Sequence, residues 1–333
     1  MRLPSLRFSS FFAAAAALFW PIAAQAVTCT MQGQMTPANR ALYEQAARTL
    51  GTDMQTANIA AVQAGTVASV AAQFGALANT IQQVSPQIQK ATLTVDGLYD
   101  LNATDLGGPE QAEFFCSVTG SSRVVTVTIP QLPPGHYLLA VLHFTGVPRP
   151  QQLSLILQND PAGSPNWKLA GLFVRPLTVA GHDGIWFWTQ ARDYAGKKAD
   201  VPAYFYYEMA QYLLDPVDFF SSPNLQKLQK ELEAAKPADL PGENPMTLNV
   251  NGLNLQITGL RTQDFGGQLD MVVDYKAQGP SDPVSLRTQI VALDKAMLAR
   301  YPELRTAFHG FWVYAYNANG QPFAIELPMS QIQ

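Results

Sequence analysis

Cysteine and histidine are scarce in this sequence: two of the first and four of the second among 333 residues. So few, and so scattered, they do not suggest a metal site. Charge is thin as well, at 14% of residues. Segment 1–26 holds two basic residues, Arg2 and Arg7, and no acidic one. The remainder therefore carries 19 basic against 25 acidic residues, a net charge of −6. No basic run occurs beyond Lys197-Lys198. This argues against a nucleic-acid partner, which needs clustered Lys and Arg on one face. G-x-S-x-G, H-E-x-x-H, a phosphate-binding glycine loop and C-x-x-C are all missing. The expectation is a protein that is not an enzyme and uses no cofactor. What is present in quantity is apolar: 47% of residues, too many for disorder.

Residues 1–26 have the build of a secretory signal. Arg2 and Arg7 form the charged start, FFAAAAALFW the apolar core, and AQA (24–26) the small-residue cleavage site. The apolar run is shorter than the ~20 residues a membrane span needs, and no second one follows. The mature chain is thus expected to be soluble, in the periplasm or outside the cell. Export permits a disulfide between Cys29 and Cys116, which would pin the new N-terminus to the core. The alternative, a lipidated Cys29, would want a small residue where Thr28 stands.

Beyond the signal, the chain divides into 27–180, 181–236, a Pro-rich linker at 237–245, and 246–333. Thr36-Pro37 reads as an N-cap and first helical residue, with the helix stopping at Gly51. Residues 59–84 are expected to break at Gly65 and Gly75, with Ser85-Pro86 as the end. From residue 91 the period changes to two. TLTVDGLYDL, RVVTVTIP, LLAVLHF, QLSLILQ and WKLAGLFV read as strands of an antiparallel meander, with turns at PPG (133–135) and DPAGSPN (160–166). Residues 246–333 read as a second, smaller α+β unit: strands, a helix opened by Asp282-Pro283, and two strands joined at Asn319-Gly320. The fold class is α+β.

Two resemblances follow from these segments. Helices followed by a meander ending in NWKLAGLFV make 36–180 similar to the cone-shaped nuclear-transport-factor-two-like and cystatin-like folds. That implies an α+β cone but no function. Phe187, Ala191, Tyr194, Ala203, Tyr207, Ala210 and Pro216 fall in an order that resembles one tetratricopeptide repeat (184–216), although Gln190–Ala191 replace its Leu–Gly pair. A lone helix hairpin of that kind cannot bury its own faces and must dock on neighbours.

Residues 181–220 hold 11 aromatics. Trp186 and Trp188 lie about 200° apart on a helix, and Tyr206 and Tyr207 about 100°, so aromatic surface faces in more than one direction. Trp186, Trp188, Tyr204, Tyr206 and Tyr207 are accordingly either buried between the two α+β units or a contact patch. On the last strands Trp312, Tyr314 and Tyr316 share one face, where they would stack a ligand or lie under a helix. Asp183 has the position of an N-cap. Asp270 and Asp274 share a strand face opposite Leu269, Met271, Val273 and Tyr275, which predicts solvated carboxylates. His136 and His143, seven apart, would face opposite sides of one strand. The reading that follows is an envelope binding or scaffolding protein that meets a protein partner through 184–220, or uses that segment as an interdomain keystone. One alternative is a carrier of a small apolar ligand within the 91–180 sheet. Another is a hydrolase or lyase built from His143, His182, Asp183 and His309.

Overall fold

In the computed structural model, residues 27–117, 124–163, 166–279, 282–317 and 322–333 are described. The predicted signal and the Asn319-Gly320 turn lie outside them. A short strand, β1 (Thr28–Met31), precedes four helices: α1 (Pro37–Gln55), α2 (Ile59–Ala64), α3 (Ala68–Ala71) and α4 (Gly75–Ile88). Six strands follow: β2 (Thr92–Ala103), β3 (Glu110–Ser117), β4 (Val124–Leu132), β5 (Gly135–Thr145), β6 (Gln151–Asn159) and β7 (Trp167–Pro176). Next come α5 (Gly184–Gly196), α6 (Asp200–Leu214), β8 (Phe220–Ser221) and α7 (Pro223–Ala235). The last part runs β9 (Met246–Val250), β10 (Leu253–Phe265), β11 (Gln268–Lys276), α8 (Pro283–Arg300), α9 (Leu304–Ala307), β12 (Gly310–Tyr316) and β13 (Pro322–Pro328). The α+β class holds.

The first half is a helix layer on a five-stranded antiparallel sheet, ordered β1-β2-β5-β6-β7. Alternate residues of β5 face opposite ways. Leu138, Ala140, Leu142 and Phe144 join Tyr43, Leu50, Ile81 and Val84 under the helices. Tyr137 and Leu139 face the other side. Both faces are covered, so the middle of β5 is a continuous buried run. The second cover is a departure from the expected single meander: β3 and β4 leave the large sheet and form a three-stranded sheet, β3-β4-β8. Ala112, Phe114 and Cys116 of β3 are buried against Leu101, Leu139 and Ile156. The Cys29–Cys116 disulfide joins the two sheets, with Cα atoms 5.0 Å apart.

Two helix ends were misplaced by sequence. Thr36 does cap α1, accepting from the Asn39 N–H at 3.2 Å, but the helix passes through Gly51. That glycine is there for space: a Cβ would stand 2.8 Å from Cδ1 of both Leu93 and Leu142. Likewise α4 continues past Pro86. Ser85 Oγ lies 2.6 Å from the carbonyl oxygens of both Ile81 and Met54, which share its single proton, and so ties this turn to α1.

In the second half a five-stranded sheet is ordered β13-β12-β11-β10-β9, with β11 and β12 parallel and α8 in the crossover between them. One face (Met271, Val273, Tyr275, Phe311, Val313, Ala315) buries against Leu286, Ile290, Leu293 and Met297 of α8. The aromatic hairpin α5–α6 contributes to this same core. Gly184 lets the start of α5 close on the end of α6, since a Cβ there would lie 2.6 Å from Leu214 Cγ.

Candidate functional site

The expected aromatic segment is mostly interior. Trp188 Nε1 donates to Glu231 Oε2 of α7 at 2.7 Å, and Arg192 binds both oxygens of that carboxylate while lying over the Trp188 ring. Tyr206 points elsewhere: its hydroxyl donates to the Ala307 carbonyl at 2.7 Å and its ring packs on Phe308. Tyr207 is buried, and Tyr204 donates to Glu208 at 2.7 Å. Trp186 is half-buried beside Phe187 and Tyr206. The aromatics face several ways because the hairpin is packed on several sides, by α7, α9 and the edge of β10. Burial takes Trp188, Tyr206 and Tyr207 off the surface as contact residues.

The four residues of the hydrolase alternative are not brought together. His143, on β5, lies beside Gln152 and 3.7 Å from Asp96. His182 stacks on Trp186 at 3.6 Å between ring centres. Asp183 caps α5, accepting from the Trp186 N–H at 2.8 Å. His309 sits at the start of β12 in the second half. Among the described residues no hydrogen bond or ion pair joins any two of the four. Removing the cap by Asp183→Ala should cost about 1 kcal/mol, read as a lower urea midpoint; an unchanged midpoint would show that the cap adds nothing.

The other three predicted aromatics do share a surface. Trp312, Tyr314 and Tyr316 project from the face of the second sheet opposite α8. In register with them are Val272, Asp274 and Lys276 of β11 and Glu326 and Ala324 of β13. Phe265 stacks on Trp312 with ring centres 4.3 Å apart. Arg261 pairs with Asp274 and lies 5.9 Å from the Tyr314 ring centre. None of these four aromatics belongs to an apolar core. Each is partly exposed.

At one end of this face stands a polar cluster that sequence reading missed. His309 Nδ1 lies 3.0 Å from Asp270 Oδ1 and 3.7 Å from Glu326 Oε1. One ligand atom from each of the three falls within 4.8 Å of the others. The cluster is held by backbone: the His309 N–H donates to the Leu269 carbonyl at 2.9 Å, and the His309 carbonyl accepts from Met329 N–H at 2.8 Å. Asp270 is 0% exposed, so the expectation of a solvated carboxylate is corrected. Burial pushes its carboxyl above the usual range, and the His309 hydrogen bond opposes that shift. Asp274 is not free either, being paired with Arg261.

Polar groups without partners gather here. Of seven such buried side-chain atoms among the described residues, three are Asp270 Oδ2, Asp274 Oδ1 and Trp312 Nε1. A buried polar atom left unpaired costs about 1–3 kcal/mol, so three on one face need an explanation. The sequence hints were the alternations that put Trp312, Tyr314 and Tyr316 on one face of one strand and Asp270 and Asp274 on one face of another, with His309 a candidate apart from them. The cluster's members are 39 and 17 residues apart along the chain, and no local pattern links them.

The Cys29–Cys116 bond is formed, and among the described residues no helix is long and apolar enough to cross a membrane. The disulfide is consistent with an extracellular or periplasmic protein. Compared with protein-family models, with curated proteins and with solved structures, the chain matches none.

Proposed function

We propose that this is an exported binding protein of the cell envelope, and that it contacts its partner through the outer face of the C-terminal sheet. The observation that carries this reading is the gathering on that face of four partly exposed aromatics, none of them in an apolar core. Partly exposed aromatic rings supply contact area at low entropic cost. The hairpin α5–α6 then serves as the keystone between the halves rather than as the contact region. It shares its core with the second sheet, while Arg175 of β7 bonds the Tyr212 carbonyl within α6 and Asp218 just beyond it. The reading assigns binding, not catalysis.

The test is site-specific photo-crosslinking in native envelopes, with the crosslinker placed at Tyr316 and, as control, at Tyr204. A discrete adduct from Tyr316 that disappears when Trp312→Ala is added supports the proposal. Adducts from Tyr204 alone, or a Tyr316 adduct indifferent to Trp312, sink it.

A second reading keeps one observation of its own. An apolar cleft of about 300 Å³ opens between α3 and the two sheets, lined by Val70, Ile129, Tyr137, Ile156, Phe173 and Phe219. Its size is at the lower end of small-ligand pockets, and it suits the carrier alternative.

A further inference from the structure

We propose that Asp270, His309 and Glu326 form a binding site for one divalent cation of the zinc or manganese type. Three ligands from three adjacent strands converge there: Asp270 from β11, His309 from the entry to β12, and Glu326 from β13. Donors about 2.1 Å from a common tetrahedral centre stand about 3.4 Å apart. The two separations at His309 Nδ1, 3.0 and 3.7 Å, bracket that spacing. The ligand atoms of Asp270 and Glu326 lie within 4.8 Å of each other.

The chemistry of the donors selects the ion. An imidazole nitrogen favours zinc and iron over calcium and magnesium, and two carboxylates, which also suit manganese, match a dipositive charge. Among the described residues no Lys or Arg side chain is paired with Asp270 or Glu326; Asp270 meets only His309 and the Gly310 backbone N–H. Independent support comes from Asp270 itself. It is wholly buried, and its Oδ2 has no hydrogen-bond partner in the protein. A buried carboxylate satisfied at one oxygen only is costly, and a cation held by both oxygens of Asp270 would satisfy Oδ2 as well as Oδ1.

The side chains of His309 and Glu326 are 39% and 33% exposed. With three protein ligands and an outward opening, the ion would keep coordination positions for an outside group. The stacked Phe265–Trp312 pair lies on the same face. This inference stands on the geometry of the cluster and does not need the binding reading given above.

The test is calorimetric titration of the untagged chain with Zn²⁺, Mn²⁺ and Ca²⁺, repeated on His309→Ala and Glu326→Gln. Both substitutions are at exposed side chains, and metal-free melting curves verify that the fold is kept. The proposal expects one Zn²⁺ or Mn²⁺ per chain, with affinity lowered about 100-fold or more in each variant, since even removing outer partners of a ligand costs 10–100-fold. No binding by the native chain overturns it and leaves an ordinary His–Asp–Glu hydrogen-bonded cluster. Binding that survives both substitutions, or binding of Ca²⁺ alone, also overturns it.

Discussion

Replacing Cys29 and Cys116 together by alanine is expected to lower the unfolding free energy by about 4–5 kcal/mol. The two residues are 87 apart in sequence, so the bond closes a long loop in the unfolded chain. In the chain-entropy account a loop of that length is worth about 4.6 kcal/mol at 25 °C. The native state loses the docking of β1 as well. That strand is four residues long and pairs with β2 alone, while Cys116 is buried in the small core between the sheets. Alanine is the replacement of choice because serine would bury a hydroxyl there. Urea denaturation of the oxidised native chain and the double variant reads the difference directly. A change below about 1 kcal/mol would mean that the bond constrains little.

The second large effect depends on pH. Asp294 lies on the buried face of α8, with both carboxylate oxygens lacking partners. Burial alone pushes its carboxyl up to about 8. Its folded value is thus above its unfolded value of 3.8, and the sign follows. Below pH ~4 both states hold the proton and titration of this group contributes nothing to the pH dependence. Between pH ~4 and ~8 the unfolded chain releases the proton while the folded chain keeps it, so stability falls as pH rises. Above pH ~8 the penalty is constant. From pH 5 to pH 8 the loss approaches roughly 4 kcal/mol as an upper bound. Asp294→Leu fills similar space without a titrating group, so its stability should fall far less over that interval. The variant should be the more stable chain at pH 8, by a margin that shrinks as the pH falls to 4. Parallel pH profiles for the two chains would refute the assignment. Tyr275 feels the same site: burial first, then the nearby Asp294, pushes its hydroxyl up to about 12.

These features differ in how far sequence could reveal them. Thr36, Asp183 and Asp282 were readable as caps because a cap is decided within four residues. The strands were readable from period two, and the disulfide from export and an even cysteine count. Periodicity also placed Trp312, Tyr314 and Tyr316 on one face. It could not say what covers a face, and there it failed for Asp270. That carboxylate shares a face with Asp274 as expected, but side chains from neighbouring strands close over it. His309 and Glu326 come from strands whose adjacency is set by the α8 crossover, a tertiary fact. Gly51 and Pro86 misled for a related reason. Each is a helix breaker by local rule, and each is overridden, by the approach of Leu93 and Leu142 in one case and by the Ser85 hydrogen bonds in the other. The departure of β3 and β4 from the large sheet had no local mark, since both alternate like their neighbours.

The smallest strand has the widest consequence. β8 is two residues long, Phe220 and Ser221, yet it supplies the third strand of the small sheet by pairing with Val127 and Thr126 of β4. The Thr128 N–H extends the contact, donating to the Phe219 carbonyl at 2.9 Å. The cover comes from the far side of the aromatic hairpin, some 40 residues beyond the last strand of the first half. A fragment ending near residue 180 would therefore keep its helices, its large sheet and its disulfide, but would bare the row of backbone donors and acceptors along β4. Such a naked edge invites a strand from another copy and the start of aggregation. The boundary that composition suggests is thus not a safe place to cut, and a self-sufficient first half has to carry the chain at least through Ser221.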